Sequence, residues 1–134
     1  SEDDKQQLDK FTTEVNNWVN WRDGKGRRAF TLPVSACSDD AFVTELDRIS
    51  MGQWLNDRGL TSPRLRWWVD YACRDDYTLL AADTSAWAGL FYFAARQRTP
   101  GGAAQSVVPP ETWTMLAVVA PTFSKLWLSA LAHL

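Results

Sequence analysis

Three helix-start signals follow one another between residues 49 and 98, in ISMGQWLNDRGLTSPRLRWWVDYACRDDYTLLAADTSAWAGLFYFAARQR, and they leave little room there for a sheet. Ser50 with Gln53 three residues on forms a capping-box pattern, in which each side chain satisfies the other's free backbone amide. The short helix that follows carries Met51, Trp54 and Leu55 and closes at Gly59. Ser62-Pro63 is the second signal, with serine as cap and proline at the first helical position, where its missing N–H costs nothing. It predicts a helix over 63–74. Asp83, Thr84 or Ser85 then caps a helix running to about residue 96.

The faces of these helices suggest what surrounds them. On 63–74, Leu65, Trp68, Val69, Ala72 and Cys73 share one side while Arg64, Trp67, Tyr71 and Arg74 share another, so contacts on both sides are expected. On 85–96, Trp87, Leu90, Phe91 and Ala94 line up as a core stripe that Tyr92 and Phe93 widen. Packing of these two helices against each other, with Trp68, Ala72, Trp87 and Phe91 mostly buried, is the expected centre of the fold.

The rest of the chain reads as support. Leu8, Phe11, Val15 and Trp18 recur at helical spacing over 3–22, and Gly24 and Gly26 end that helix. Arg27-Arg28 follow in a loop to residue 38, as a phosphate or carboxylate clamp or as ion-pair partners for nearby acids. Ser38-Asp39-Asp40 starts a short helix to about residue 48 with Phe42, Val43 and Leu46 inward. Residues 97–110, with Pro100-Gly101-Gly102 and Pro109-Pro110, form a connector in which Val107-Val108 could make one short strand. Helices over 111–120 and 122–134, divided by Pro121, complete the chain. The expected architecture is mainly α, a single helical domain of five to seven helices with at most one short strand.

Composition removes several function classes. A net charge of −2 with both signs scattered offers nucleic acid no basic field. Cys37 and Cys73 lack metal-ligand spacing, so zinc is unsupported; they are either reduced, buried thiols or one disulfide. The opening SEDDKQQ is too polar for a signal peptide, and the apolar run 115–134 is interrupted by Pro121, Ser124, Lys125 and His133, so no transmembrane segment is expected. The chain reads as soluble, in a cytoplasm or periplasm.

Chemistry-bearing motifs are sparse. There is no G-x-G-x-x-G, no Walker loop and no metal ligand set, and the single histidine, His133, sits beside the last residue, so no catalytic residue is assigned. Arg74-Asp75-Asp76-Tyr77 is the densest polar constellation, able either to hold a cationic amine or simply to tie down a helix end. Trp67, Trp68, Tyr71, Trp87, Phe91 and Tyr92 either wall a pocket for an apolar or cationic ligand or form plain core. With Arg74, Asp75 and Asp76 they make up the candidate substrate-binding set.

SPRLRWWVDYACRDDY and DTSAWAGLFYFAAR, preceded by DGKGRRAFTLPVSACSDD, resemble the substrate-domain segment of bacterial FAD-dependent oxidoreductases of the flavin-containing amine oxidase and phytoene-desaturase-like group. The resemblance covers residues 8–108 and implies a mostly helical segment that covers the reactive face of a flavin held by a separate dinucleotide-binding domain. It divides the chain into a substrate-domain-like part, 1–108, and a helical tail, 109–134. It implies no cofactor in this chain itself, FAD belonging to the parent enzyme, and inactivity of the chain alone. The partners it leaves open are that flavin-binding domain or a second copy, the latter through Phe123, Leu126, Trp127, Ala130, Leu131 and Leu134 of the last helix. The alternative function is a standalone helical interaction or dimerisation module.

Overall fold

A computed structural model describes residues 1–95, which form five α-helices joined by turns. The connector at 97–110, the strand at 107–108 and the helices at 111–120 and 122–134, with the dimer contact assigned to the last, lie outside the described residues. Helix α1, Glu2–Asn20, buries Phe11, Val15 and Trp18 of the predicted stripe together with Val19, and leaves Leu8 half-buried. It stops because Trp21 turns extended, and Arg22 then meets Arg28 in a single antiparallel bridge across a turn made possible by Gly26 at φ 77°.

The short helix expected over 38–48 divides into α2, Ala41–Thr44, and a 3₁₀ turn, Glu45–Arg48. Asp40 caps α2 through its carboxylate. Val43 and Leu46 point inward as predicted, but Phe42 does not: it is 62% exposed, lying flat on Trp18 and Trp21 at centroid distances of 5.3 and 6.1 Å. The helix is too short to turn three apolar side chains inward, so one rests on the tryptophans instead.

Helices α3, Met51–Asp57, α4, Pro63–Tyr77, and α5, Ala86–Ala94, start where their serines mark them. Ser50 accepts from the Gln53 N–H, Ser62 from Leu65 and Ser85 from Ala88. The starts of α3 and α5 are joined by a two-residue bridge, Ser50 to Ser85, with Met51 N–H donating to Thr84 O (2.7 Å) and Ala86 N–H to Ile49 O (2.8 Å). Helix α4 runs three residues past the expected Arg74 and ends at Thr78, which takes the left-handed conformation at φ 61°. Among the described residues there is no strand beyond these isolated bridges.

Helix α5 is the centre of the array: it packs against α1, α3, α4 and the Glu45–Arg48 turn. Its sequence, AWAGLFYFA, is apolar nearly all round, which suits a helix packed against four other elements. Gly89 lets α3 come in close, since a Cβ there would lie 2.7 Å from Met51 Cγ. Phe11 stands at the middle of the core with the edges and faces of Trp54, Trp68 and Phe93 at 6.2, 5.7 and 5.2 Å. Such pairs contribute about 0.5 to 1.5 kcal/mol each beyond the area they bury.

Of the four residues expected to be mostly buried, Ala72 is; Trp68, Trp87 and Phe91 are half-buried. The reason is position: the buried stripe of α5 is Ala86, Gly89, Leu90, Phe93 and Ala94 and that of α4 is Leu65, Val69, Ala72 and Cys73, so the three rings stand at the rims of these stripes.

Candidate functional site

The nine candidate residues fall into three groups. Trp67 and Tyr71 stack on each other on the outer side of α4, with centroids 5.9 Å apart and planes at 22°. They are 58% and 51% exposed, whereas Leu65, Val69, Ala72 and Cys73 on the opposite side are buried. Arg74 and Asp75 continue the outer side by one turn, and Asp76 lies round from them; all three are exposed. Contacts on both sides of α4 were expected; among the described residues only one side is covered.

Trp68 belongs to the core instead, against Phe11 and Phe93, and Tyr92 lies edge-on to Phe93 at 5.0 Å. Trp87 and Phe91 stack at 5.1 Å and 19°, against Phe30. Neither makes a ring contact with Trp67 or Tyr71, so the six aromatics do not wall one pocket. Spacing along a helix could place residues on a face, but not tell which faces share a cavity.

Tyr77 has the tying role open to it: its hydroxyl donates to Ala88 O at 2.8 Å and joins the end of α4 to α5. Arg27 takes the ion-pair role, to Asp23 (2.8 Å) and to Asp39. Arg28 donates to Ala94 O at 3.3 Å.

A polar knot unforeseen in the sequence centres on Asp23, whose side chain is only 4% exposed. Its carboxylate accepts from the Ser38 hydroxyl (2.6 Å), the Lys25 and Arg27 amides and the Arg27 guanidinium (2.8 Å each). The Ser38 hydroxyl foremost, and then the Arg27 donors, hold its acidity well beyond the ordinary carboxylate range. The knot fastens the loop after α1 to the start of α2 and leaves its own donors occupied.

A second unforeseen feature is a cavity of about 150 Å³ bounded by Gly52 and Leu55 of α3, Arg66 and Asp70 of α4, and residues 80–82. Gly52 N–H donates to Ala81 O (2.7 Å) and Asp70 Oδ1 accepts from Ala81 N–H (2.8 Å), so the wall at 80–82 is tied to both helices. The only signal in the sequence was Arg66 and Asp70 at i,i+4.

Cys37 and Cys73 are both free thiols, Cys37 half-buried and Cys73 buried, the latter with its acidity weakened by that burial. Among the described residues, no group of histidine, cysteine, aspartate and glutamate could hold a metal, and no helix is long and apolar enough to cross a membrane. No family model, curated protein or solved structure matches the chain.

Proposed function

We propose that this chain is the flavin-covering, substrate-side segment of an FAD-dependent oxidoreductase of the flavin-containing amine oxidase-like group. On this reading the outer side of α4 is where the flavin-bearing domain docks. The supporting observation is the Trp67–Tyr71 pair, which stands more than half exposed on a helix whose other side is closed. Two large aromatics at that exposure leave roughly 200 Å² uncovered, and covering it would contribute about 5 kcal/mol to an association. Tryptophan and tyrosine are among the residues enriched at protein interfaces, which agrees with a docking role for the pair.

The described helices do not themselves fit FAD. They contain no strand leading through a glycine turn into a helix, the arrangement that holds a dinucleotide pyrophosphate. On this reading the flavin sits on the partner domain, and this chain supplies shape: Trp67 and Tyr71 as an aromatic wall, with Arg74, Asp75 and Asp76 at its polar edge.

The test supplies the flavin domain of such an oxidoreductase, stripped of its own substrate segment, in trans. The wild-type chain is expected to bind it and to restore substrate-dependent flavin reduction, and the Trp67→Ser/Tyr71→Ser variant to lose both. Stoichiometric FAD retained by this chain alone through gel filtration would overturn the reading. So would a wild-type chain that leaves the flavin domain unbound. If it instead sediments as a dimer that Trp67→Ser dissociates, the same surface serves self-association and the chain is an interaction module.

A further inference from the structure

We infer that the cavity between α3, α4 and residues 80–82 is a binding site for a small zwitterion, of the size and charge pattern of alanine. The inference needs no flavin partner, since every wall belongs to the described residues.

Size is the first constraint. The cavity measures about 150 Å³, and a cavity of roughly that volume takes a single benzene, about six heavy atoms. Alanine has the same number.

Charge is the second. Arg66 and Asp70 stand at i,i+4 on α4, the spacing at which opposite charges ordinarily pair on a helix, yet no ion pair joins them. Each is held elsewhere: the Arg66 Nε donates to Leu60 O at 3.1 Å and its Nη2 to the Asn56 side chain, while Asp70 Oδ1 accepts from Ala81 N–H. The Arg66 Nη1 and the Asp70 Oδ2 make no hydrogen bond within the described residues, so each group keeps bonding capacity at the wall of the cavity. A guanidinium suits a carboxylate, and a carboxylate suits an ammonium.

A lone anion would meet Asp70 as well as Arg66, and a lone cation the reverse; a molecule carrying both charges is favoured by both. Leu55, Leu80 and Ala82 supply apolar surface between them, enough for a methyl group. The walls are set in advance, because Gly52 lets the 80–82 turn approach to where a Cβ would stand 3.2 Å from Ala82 Cα. No nucleophile or general acid accompanies the two charges, so the site binds and does not react.

The experiment is a titration of the full 134-residue chain, labelled with ¹⁵N, with L-alanine, acetate and methylamine in turn, at constant ionic strength. Alanine is expected to give saturable shifts at the Gly52, Ala81 and Ala82 amides, with acetate and methylamine at least tenfold weaker. Asp70→Asn keeps an acceptor for Ala81 N–H and removes the charge; Arg66→Gln removes the other; each should weaken alanine at least tenfold. Ala82→Leu, at an exposed position, occludes the cavity without cutting a tether and should abolish the response even if a charge variant fails to fold. Equal shifts from all three ligands, a response that does not saturate, or an undiminished response in Ala82→Leu would overturn the proposal.

Discussion

Gly89→Ala should destabilise the protein, although it replaces a glycine in the middle of a helix by the best helix former. Propensity alone favours the change by about 1 kcal/mol. Against it, the new Cβ would lie 2.7, 2.8 and 3.0 Å from Cγ, Sδ and Cβ of Met51, a side chain with no exposed surface into which to retreat. Overpacking of this kind costs about 1 to 3 kcal/mol, so the net effect is a loss of about 1 kcal/mol. Urea unfolding followed by tryptophan fluorescence, with Trp54 and Trp68 beside Phe11 as reporters, measures it. Met51→Ala by itself should cost about 2 to 5 kcal/mol. In that background Cγ and Sδ are gone and the Cβ left at 3.0 Å can ease into the space they vacate, so Gly89→Ala should stabilise by up to about 1 kcal/mol. The change of sign is the signature of direct contact. If Gly89→Ala stabilises the otherwise unaltered protein, α3 and α5 do not approach as described, and the placement of α5 at the centre of the fold is wrong with it.

Asp23→Asn should lower stability at neutral pH and leave it unchanged in strong acid. The carboxyl is depressed in the folded chain, so its contribution is present above its unfolded value of about 3.9 and is lost as pH falls toward the folded one. The gap in melting temperature between wild type and variant should be widest near neutrality and close below pH ~4; a gap independent of pH would refute this. Thr78→Gly should raise stability by about 0.5 to 1 kcal/mol, because a β-branched residue is strained at φ 61° and glycine is not. Chemical denaturation decides it, and an unchanged midpoint would mean the left-handed cap is not formed. Trp67→Ser should leave stability within about 0.5 kcal/mol, whereas Trp54→Ala, at a fully buried ring, should cost about 3 to 5 kcal/mol. Similar losses for the two would contradict the sidedness of α4.

What was legible in the sequence is what depends on neighbours along the chain. The serine caps at 50, 62 and 85 each act within three residues, and the stripe of α1 repeats within one turn, so both could be read before any contact was known. Phe42 was misread because an amphipathic pattern of so few residues does not specify which ring faces out. The Asp23 knot joins groups 15 positions apart, and the cavity needs α3, α4 and residues 80–82 together; no local pattern announces either. Gly52 and Gly89 went unnoticed for the same reason: a glycine inside a helix gives no sign of what presses against it. The aromatics of α4 were correctly divided between its two faces, but Trp87 and Phe91 stand beside the buried stripe of α5 and not on it, so rings that a list of spacings treats as neighbours fall in separate places.

The bridge between Ser50 and Ser85 closes 35 positions of chain into a ring, with α3, α4 and the turn that follows as its circumference. A ring of this kind has no independent ends to fray. The Met51 and Ala86 amides that close it should exchange their hydrogens at one common rate, set by a single opening event. Helix α4 is then a span held at both abutments, and the aromatic pair on its outer side rides near the midpoint. A ligand settling on Trp67 would slow exchange at Met51 and Ala86 together, though it touched neither.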